Sequence, residues 1–225
     1  MSPFSGDPDL GRLCAPRAHE HVAERIRRHI ALGRIEPGSA LPPERELARL
    51  FGVGRATVQQ AVGLLEADRL IRTRRGRAGG SFVQALDAEA AAGAVRAQAA
   101  DILAALDFRL VIEPAAAALA AKQRRKTELV ELGRLAEPGS LHRDTAFHLA
   151  LAAASRNGYL VDAVESARLR MMPALTLLPA SRAQQDDHAG IVAALEKRDA
   201  ATAEERMRRH AERTAKLVRG MLKTV

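Results

Sequence analysis

The stretch that decides the fold is GRIEPGSALPPERELARLFGVGRATVQQAVGLLEADRLIRTRRGRAGGSFV, residues 33–83. Pro42 and Pro43 open a helix, because a first helical turn needs no internal N–H donor. That helix runs from Glu44 to about Phe51, with Leu47, Leu50 and Phe51 expected inward. Gly52-Val53-Gly54 makes a turn. The next helix spans Arg55 to about Ala67, with Val58, Val62 and Leu65 sharing one face. Leu70–Thr73 and Ser81–Val83 are short β-prone pieces, and RRGRAGG between them, residues 74–80, reads as a hairpin tip. Upstream, residues 18–32 carry Val22, Ile26 and Ile30 four apart, the stripe of an amphipathic helix. Three helices followed by a basic hairpin is the order of a winged helix-turn-helix.

Reading DNA sequence with a helix requires one helix in the major groove, another bracing it, and cations for phosphates and base edges. The helix from Arg55 fits the first role. Arg55 suits a phosphate or a guanine edge, and Thr57, Gln59 and Gln60 offer hydrogen bonds near its start. Arg45 and Arg49 stand on the bracing helix. Arg74, Arg75 and Arg77, with Gly76 and Gly79, make a wing tip compact enough for a minor groove. The expected partner is a double-stranded DNA operator.

The rest of the chain supports this reading. Its 225 residues allow two modest domains. The net charge of +8 suits a polyanion. The first 83 residues hold 14 Arg against 9 acids and are the denser basic segment. Aromatics are 3% with no Trp, so the core must rest on Ala, Leu, Val and Ile, which favours helices. Cys14 is the lone cysteine, which excludes an internal disulfide. No apolar run of membrane-spanning length occurs, and a cytoplasmic protein without a membrane partner is expected. Residues 1–17 read as a flexible tail, 18–83 as the DNA-binding domain, 84–97 as an Ala-rich linker or linker helix, and 98–225 as helices throughout. The fold class is thus mainly α: a winged helix-turn-helix with a small β-hairpin wing, then an all-α helical bundle.

The helical half carries a second constellation. Asp144 and His148, four apart in HRDTAFHLALAAAS, share a helix face. His188 precedes the apolar stripe Ile191, Val192, Leu195. His210 lies in MRRHAERTAKL, near Met207 and Leu217. Three imidazoles and a carboxylate from three helices can converge inside a bundle and suit Zn, Ni, Mn or Fe. Spacing alone leaves the bland alternative open, since a lone helical His is commonly a core or surface residue.

Residues 33–83 resemble the winged helix-turn-helix of GntR-type regulators through PG..LP.EREL, GV.R.TV..A and RRG..GG.FV, in order. The second half resembles the FCD-type ligand-binding domain of the FadR branch through LDFRLVIEPAAAALAA (106–121), DTAFHLALAAASRNGYL (144–160) and DHAGIVAALEKRDAATAEERMRRH (187–210). The resemblance implies that Asp144, His148, His188 and His210 are metal ligands. It also implies that Arg109 meets a small organic-acid effector, the alternative being an intrahelical pair with Glu113. Asn157 and Arg168 either line the same cavity or cap and solvate helices. Three departures stand out. Gly54 and Arg69 replace a usual Ser and a usual Gly. The segment between residues 122 and 144 is short, so one cavity wall is expected to be thin.

The function these readings imply is a homodimeric, sequence-specific transcriptional repressor. Its two winged helices would address half-sites about 34 Å apart. A carboxylate effector in the metal-containing domain would control operator affinity. The rival readings are a metal-dependent hydrolase and a nonspecific architectural DNA-binding protein.

Overall fold

The computed structural model describes residues 17–74, 76, 79–85, 88–137, 139–178 and 182–223, the side chains of 182–185 excepted. Cys14, Arg75 and Arg77 lie outside the described residues.

The amino-terminal unit is α1 (Ala18–Ala31), α2 (Glu44–Phe51), α3 (Arg55–Ala67), β1 (Ile71–Arg74) and β2 (Gly80–Val83). Helix α1 buries Val22, Ile26 and Ile30, the stripe read from the sequence. These close on Leu47, Val58, Val62, Leu65, Ile71 and Val83 as one core. Each such side chain removed from water contributes roughly 1.5–3 kcal/mol. Leu50 departs from expectation: it is 58% exposed, and Ala48 takes the inward place. An eight-residue helix packed on one side has a narrow inner face, which Leu47 and Ala48 fill.

Helix α2 ends on Gly52 at φ 66°, a left-handed position that glycine takes without strain. Gly54 then caps α3 in an extended conformation with no side-chain bond. The wing is antiparallel, with Ile71 opposite Val83 and Arg74 opposite Gly80.

Residues 84–97, expected as a linker or linker helix, contain a helix of their own, α4 (Ala88–Ala97). Its Val95 is buried with Ile102, Leu106, Met171, Leu175 and Val218, so α4 is packed onto the bundle. The bundle is α5 (Ala99–Gln123), α6 (Lys126–Ala136), α7 (Leu141–Ala154), α8 (Gly158–Leu177), α9 (Arg182–Glu196) and α10 (Ala200–Leu222). Among the described residues the fold is therefore mainly α, with one small sheet.

Alanines dominate the bundle interior: Ala116, Ala117, Ala120, Ala121, Ala152, Ala154 and Ala203 are all buried. Small side chains let helix axes approach closely. Arg124, buried in the α5–α6 turn, donates to the carbonyls of Leu195 and Glu196 and ties down the end of α9. Leu217, read as part of the α10 stripe, is 40% exposed. The stripe instead runs Ala203, Met207, His210, Ala211, Thr214, Ala215, Val218. At 3.6 residues per turn the buried positions of α10 centre on the Met207 direction, and Leu217 falls about 80° to one side of it.

Candidate functional site

Asp144 and His148 face inward from α7, His188 from α9 and His210 from α10. Their ligand atoms lie within 4.8 Å of one another. His148 Nε2 and His210 Nε2 are 3.2 Å apart. His188 Nε2 is 3.4 Å from His210 Nε2. Asp144 Oδ1 lies 3.5 Å from His188 Nε2 and 3.8 Å from His148 Nε2. Four ligand atoms held at about 2.0–2.1 Å around one tetrahedral ion sit about 3.4 Å from each other.

The outer faces of the imidazoles explain their orientation. His148 Nδ1 lies 3.1 Å from Glu113 Oε2, and His210 Nδ1 lies 3.4 Å from Asp187 Oδ2. Neither contact closes as a hydrogen bond, but a carboxylate behind Nδ1 favours the ring proton there by its charge, which leaves the Nε2 lone pair facing the centre. Phe147 stacks on the His188 ring at 4.1 Å between centroids. Lone pairs of neutral imidazoles converging on an ionised carboxylate repel one another unless a cation sits among them. The donor set fits a divalent transition metal.

Protonation states agree with that fit. Burial, then the Arg168 and Arg109 guanidiniums, push His148 well below the ordinary histidine range. Burial and the neighbouring His210 push His188 down to about 3. Burial would raise the Asp144 carboxyl, but Arg168 and the histidines outweigh it and hold it well below the usual carboxylate range. Neutral imidazole and ionised carboxylate are the forms that bind metal.

Two arginines border the cluster, and both rank among the largest fully buried side chains of the protein. Arg109 donates from Nε to Glu113 Oε2 at 2.7 Å and lies 3.3 Å from His148 Nε2 through Nη2. The pair with Glu113 at i+4 therefore coexists with an approach to the Asp144–histidine cluster. Arg168 donates from Nη2 to Asp144 Oδ2 at 2.5 Å and to Thr145 Oγ1 at 3.0 Å. Arg109 Nη1, Arg168 Nε and Arg168 Nη1 are buried without a protein partner. Unmet buried guanidinium donors are costly. Asp144 is the opening of the cluster, with its side chain 27% exposed against 5% or less for the three histidines.

Asn157 is placed differently. Its side-chain oxygen caps α8, accepting from the Tyr159 and Leu160 amides. Sequence reading did not single out Glu113 or Asp187 as orienting groups. Glu113 carries a signal in retrospect, being four residues from Arg109 on a face that is otherwise apolar.

In the amino-terminal unit, Arg45, Arg49, Arg55, Gln59, Gln60, Arg74, Gly76 and Gly79 are all exposed, and Thr57 is half-buried. Glu44 accepts from Gln59 Nε2 at 3.0 Å and lies 3.8 Å from Arg55 Nη2, so α2 steadies the start of α3. Arg74 lies over the Phe82 ring at 5.0 Å. Gly76 adopts φ 110° at the tip, open only to glycine without strain.

Residues 18–83 match the bacterial regulatory proteins of the gntR family, and residues 101–213 match the FCD domain. The Uxu operon transcriptional regulator of Escherichia coli K12 is 31% identical over 223 residues, covering 88% of this chain and 85% of that protein. The chain belongs to the GntR family, in the branch that carries an FCD domain. It is a DNA-binding transcriptional regulator of that type. The Mycobacterium gastri protein RmpR is 48% identical over 62 residues, 28% of this chain and 23% of that protein. Among solved structures, McbR/YncC of E. coli superposes with a TM-score of 0.51 at 18% identity, covering 92% of this chain and 99% of that one, a likeness of fold. No helix among the described residues is long and apolar enough to cross a membrane.

Proposed function

We infer that this GntR/FCD chain is a repressor whose operator affinity is set by a small carboxylate held at a metal centre in its helical domain. The observation that carries the reading is the juxtaposition of Asp144, His148, His188 and His210 with two buried guanidiniums that retain unmet donors. A divalent cation bound there would supply a Lewis-acidic position for a carboxylate oxygen. Arg109 and Arg168 would meet the same anion with planar N–H forks, the geometry suited to a carboxylate. Asn157, already engaged as a helix cap, would contribute to the wall near the end of α7.

The DNA contacts proposed are Arg45, Arg49, Arg55, Thr57, Gln59, Gln60 and Arg74, with the wing residues Arg75, Gly76, Arg77 and Gly79 at the minor groove. A homodimer paired through residues 98–225 would present two such units to an inverted repeat. Residues 1–16, read from the sequence as tail, lie outside the described residues.

Elemental analysis with native mass spectrometry tests the reading. The wild-type chain should carry about one transition-metal equivalent and a retained small acid, as four ligands around one ion require. His148→Ala together with His210→Ala should carry neither. The same metal content in that double variant would overturn the site.

A further inference from the structure

The winged helix is seated on the two helices that hold Asp144 in place. Glu165 lies on α8, one turn before Arg168, and is 6% exposed. Both its carboxylate oxygens are taken by the amino-terminal unit: Oε1 accepts from Arg28 Nε at 2.5 Å, and Oε2 from Arg34 Nη2 at 3.0 Å. Between those arginines, Gly33 turns the chain at φ 67° directly against His142. A Cβ at Gly33 would stand 2.6 Å from His142 Cδ2 and 3.0 Å from its Cα. His142 is two residues before Asp144 on α7. Ala31 and Leu141 close the seam by packing on the α4, α5, α8 and α10 cluster.

We propose that this seat, Arg28 and Arg34 on Glu165 with Gly33 on His142, is the joint through which the metal centre sets the position of the DNA-binding unit. The proposal rests on the reading of the metal centre given above. The physical argument has two parts. First, the Asp144–Arg168 bond spans α7 and α8, and the seat straddles the same two helices. A ligand that redraws the bond between Asp144 and Arg168 alters the spacing of α7 and α8, and the seat fits one spacing only. Close-packed contacts of this kind respond as alternatives rather than by gradual stretch. Second, the seat is cheap to leave. Arg28 and Arg34 are each 43% exposed, and separation returns all three charged groups to water. The desolvation cost recovered offsets most of the Coulombic attraction lost. A joint near balance is one that a ligand's differential affinity can tip.

The test uses the full chain in three forms: wild type, Glu165→Gln, and Arg28→Gln with Arg34→Gln. Each is loaded with zinc or stripped with a chelator, then measured for zinc content and for affinity toward a duplex recovered by selection with the wild-type protein. Hydrogen exchange of residues 28–34 is followed in both states. All forms should hold zinc equally. The wild type should differ about fivefold or more in duplex affinity between loaded and stripped states, and zinc should change exchange at 28–34. In both variants the affinity ratio should fall to within about twofold of unity, with exchange there insensitive to zinc. Variants that keep the wild-type ratio overturn the joint. A wild type that binds zinc yet shows no affinity difference also overturns it, while leaving the metal centre intact. A wild type that takes up no zinc overturns the metal centre and the joint together.

Discussion

Arg168 Nη2 reaches Asp144 Oδ2 at 2.5 Å across the seam between α7 and α8, leaving Asp144 Oδ1 turned toward the histidines. One carboxylate thus has an oxygen held by Arg168 and an oxygen free to face the histidines. The arginine fixes which is which.

Replacing Arg168 by Met keeps the length and removes the fork. Asp144 then rotates freely and loses the charge that keeps it ionised. Metal affinity should fall about 10–100-fold, the usual effect of losing an orienting partner. Breaking a wholly buried pair costs about 3–5 kcal/mol. Asp144 keeps some solvent contact, so about 2 kcal/mol is expected here. Chelator competition and thermal unfolding read the two effects separately. Unchanged zinc affinity would show that Asp144 needs no orienting partner.

Glu113→Gln is the sharper probe of the imidazole orientation. The amide preserves volume but can present N–H to His148 Nδ1, which favours the wrong tautomer. Zinc affinity should drop about 10–100-fold while the helix content is retained. Circular dichroism beside a zinc titration checks both. A variant that binds zinc as the wild type does would make Glu113 merely the ion-pair partner of Arg109.

Much of this was legible in the sequence, for identifiable reasons. Helices α2 and α3 announce themselves through Pro42-Pro43, Gly52 and the Val58, Val62, Leu65 stripe. The candidate metal ligands follow from resemblance, since three histidines 22 to 62 residues apart have no spacing rule of their own. What stayed hidden were relations between elements distant in sequence. Glu165 reads as an ordinary helical acid until Arg28, 137 residues away, is placed on it. Helix α4 stood as one of two readings because an Ala-rich run has weak periodicity, and its packing on α8 decides for helix over spacer. Leu50 misled because period alone does not say how wide a short helix's inner face is.

Arg69 follows α3 with φ 57°, and Arg156 and Arg198 repeat the device after α7 and α9. An L side chain in that region costs about 1–2 kcal/mol relative to glycine. Arg69→Gly should therefore raise stability, by about 0.5–1 kcal/mol once the greater entropy of an unfolded glycine is deducted. Thermal unfolding should show a rise of a few degrees. A lower melting temperature would mean that the Arg69 side chain makes contacts worth more than its backbone strain.

Arg55→Ala separates recognition from folding. The Arg55 side chain is 66% exposed, and its ion-pair contact with Glu44 is 3.8 Å long, so its loss should leave the unfolding temperature nearly unchanged. If it reaches a guanine edge, operator affinity should fall by about 1–3 kcal/mol and discrimination at one base pair should relax. If it grips only a phosphate, affinity should fall alike on every duplex, with the salt slope reduced by about one. Titrating the selected duplex and a scrambled one at two ionic strengths tells these apart. Undiminished binding to both would remove the start of α3 from the groove altogether, and with it the reading of α2 and α3 as brace and probe.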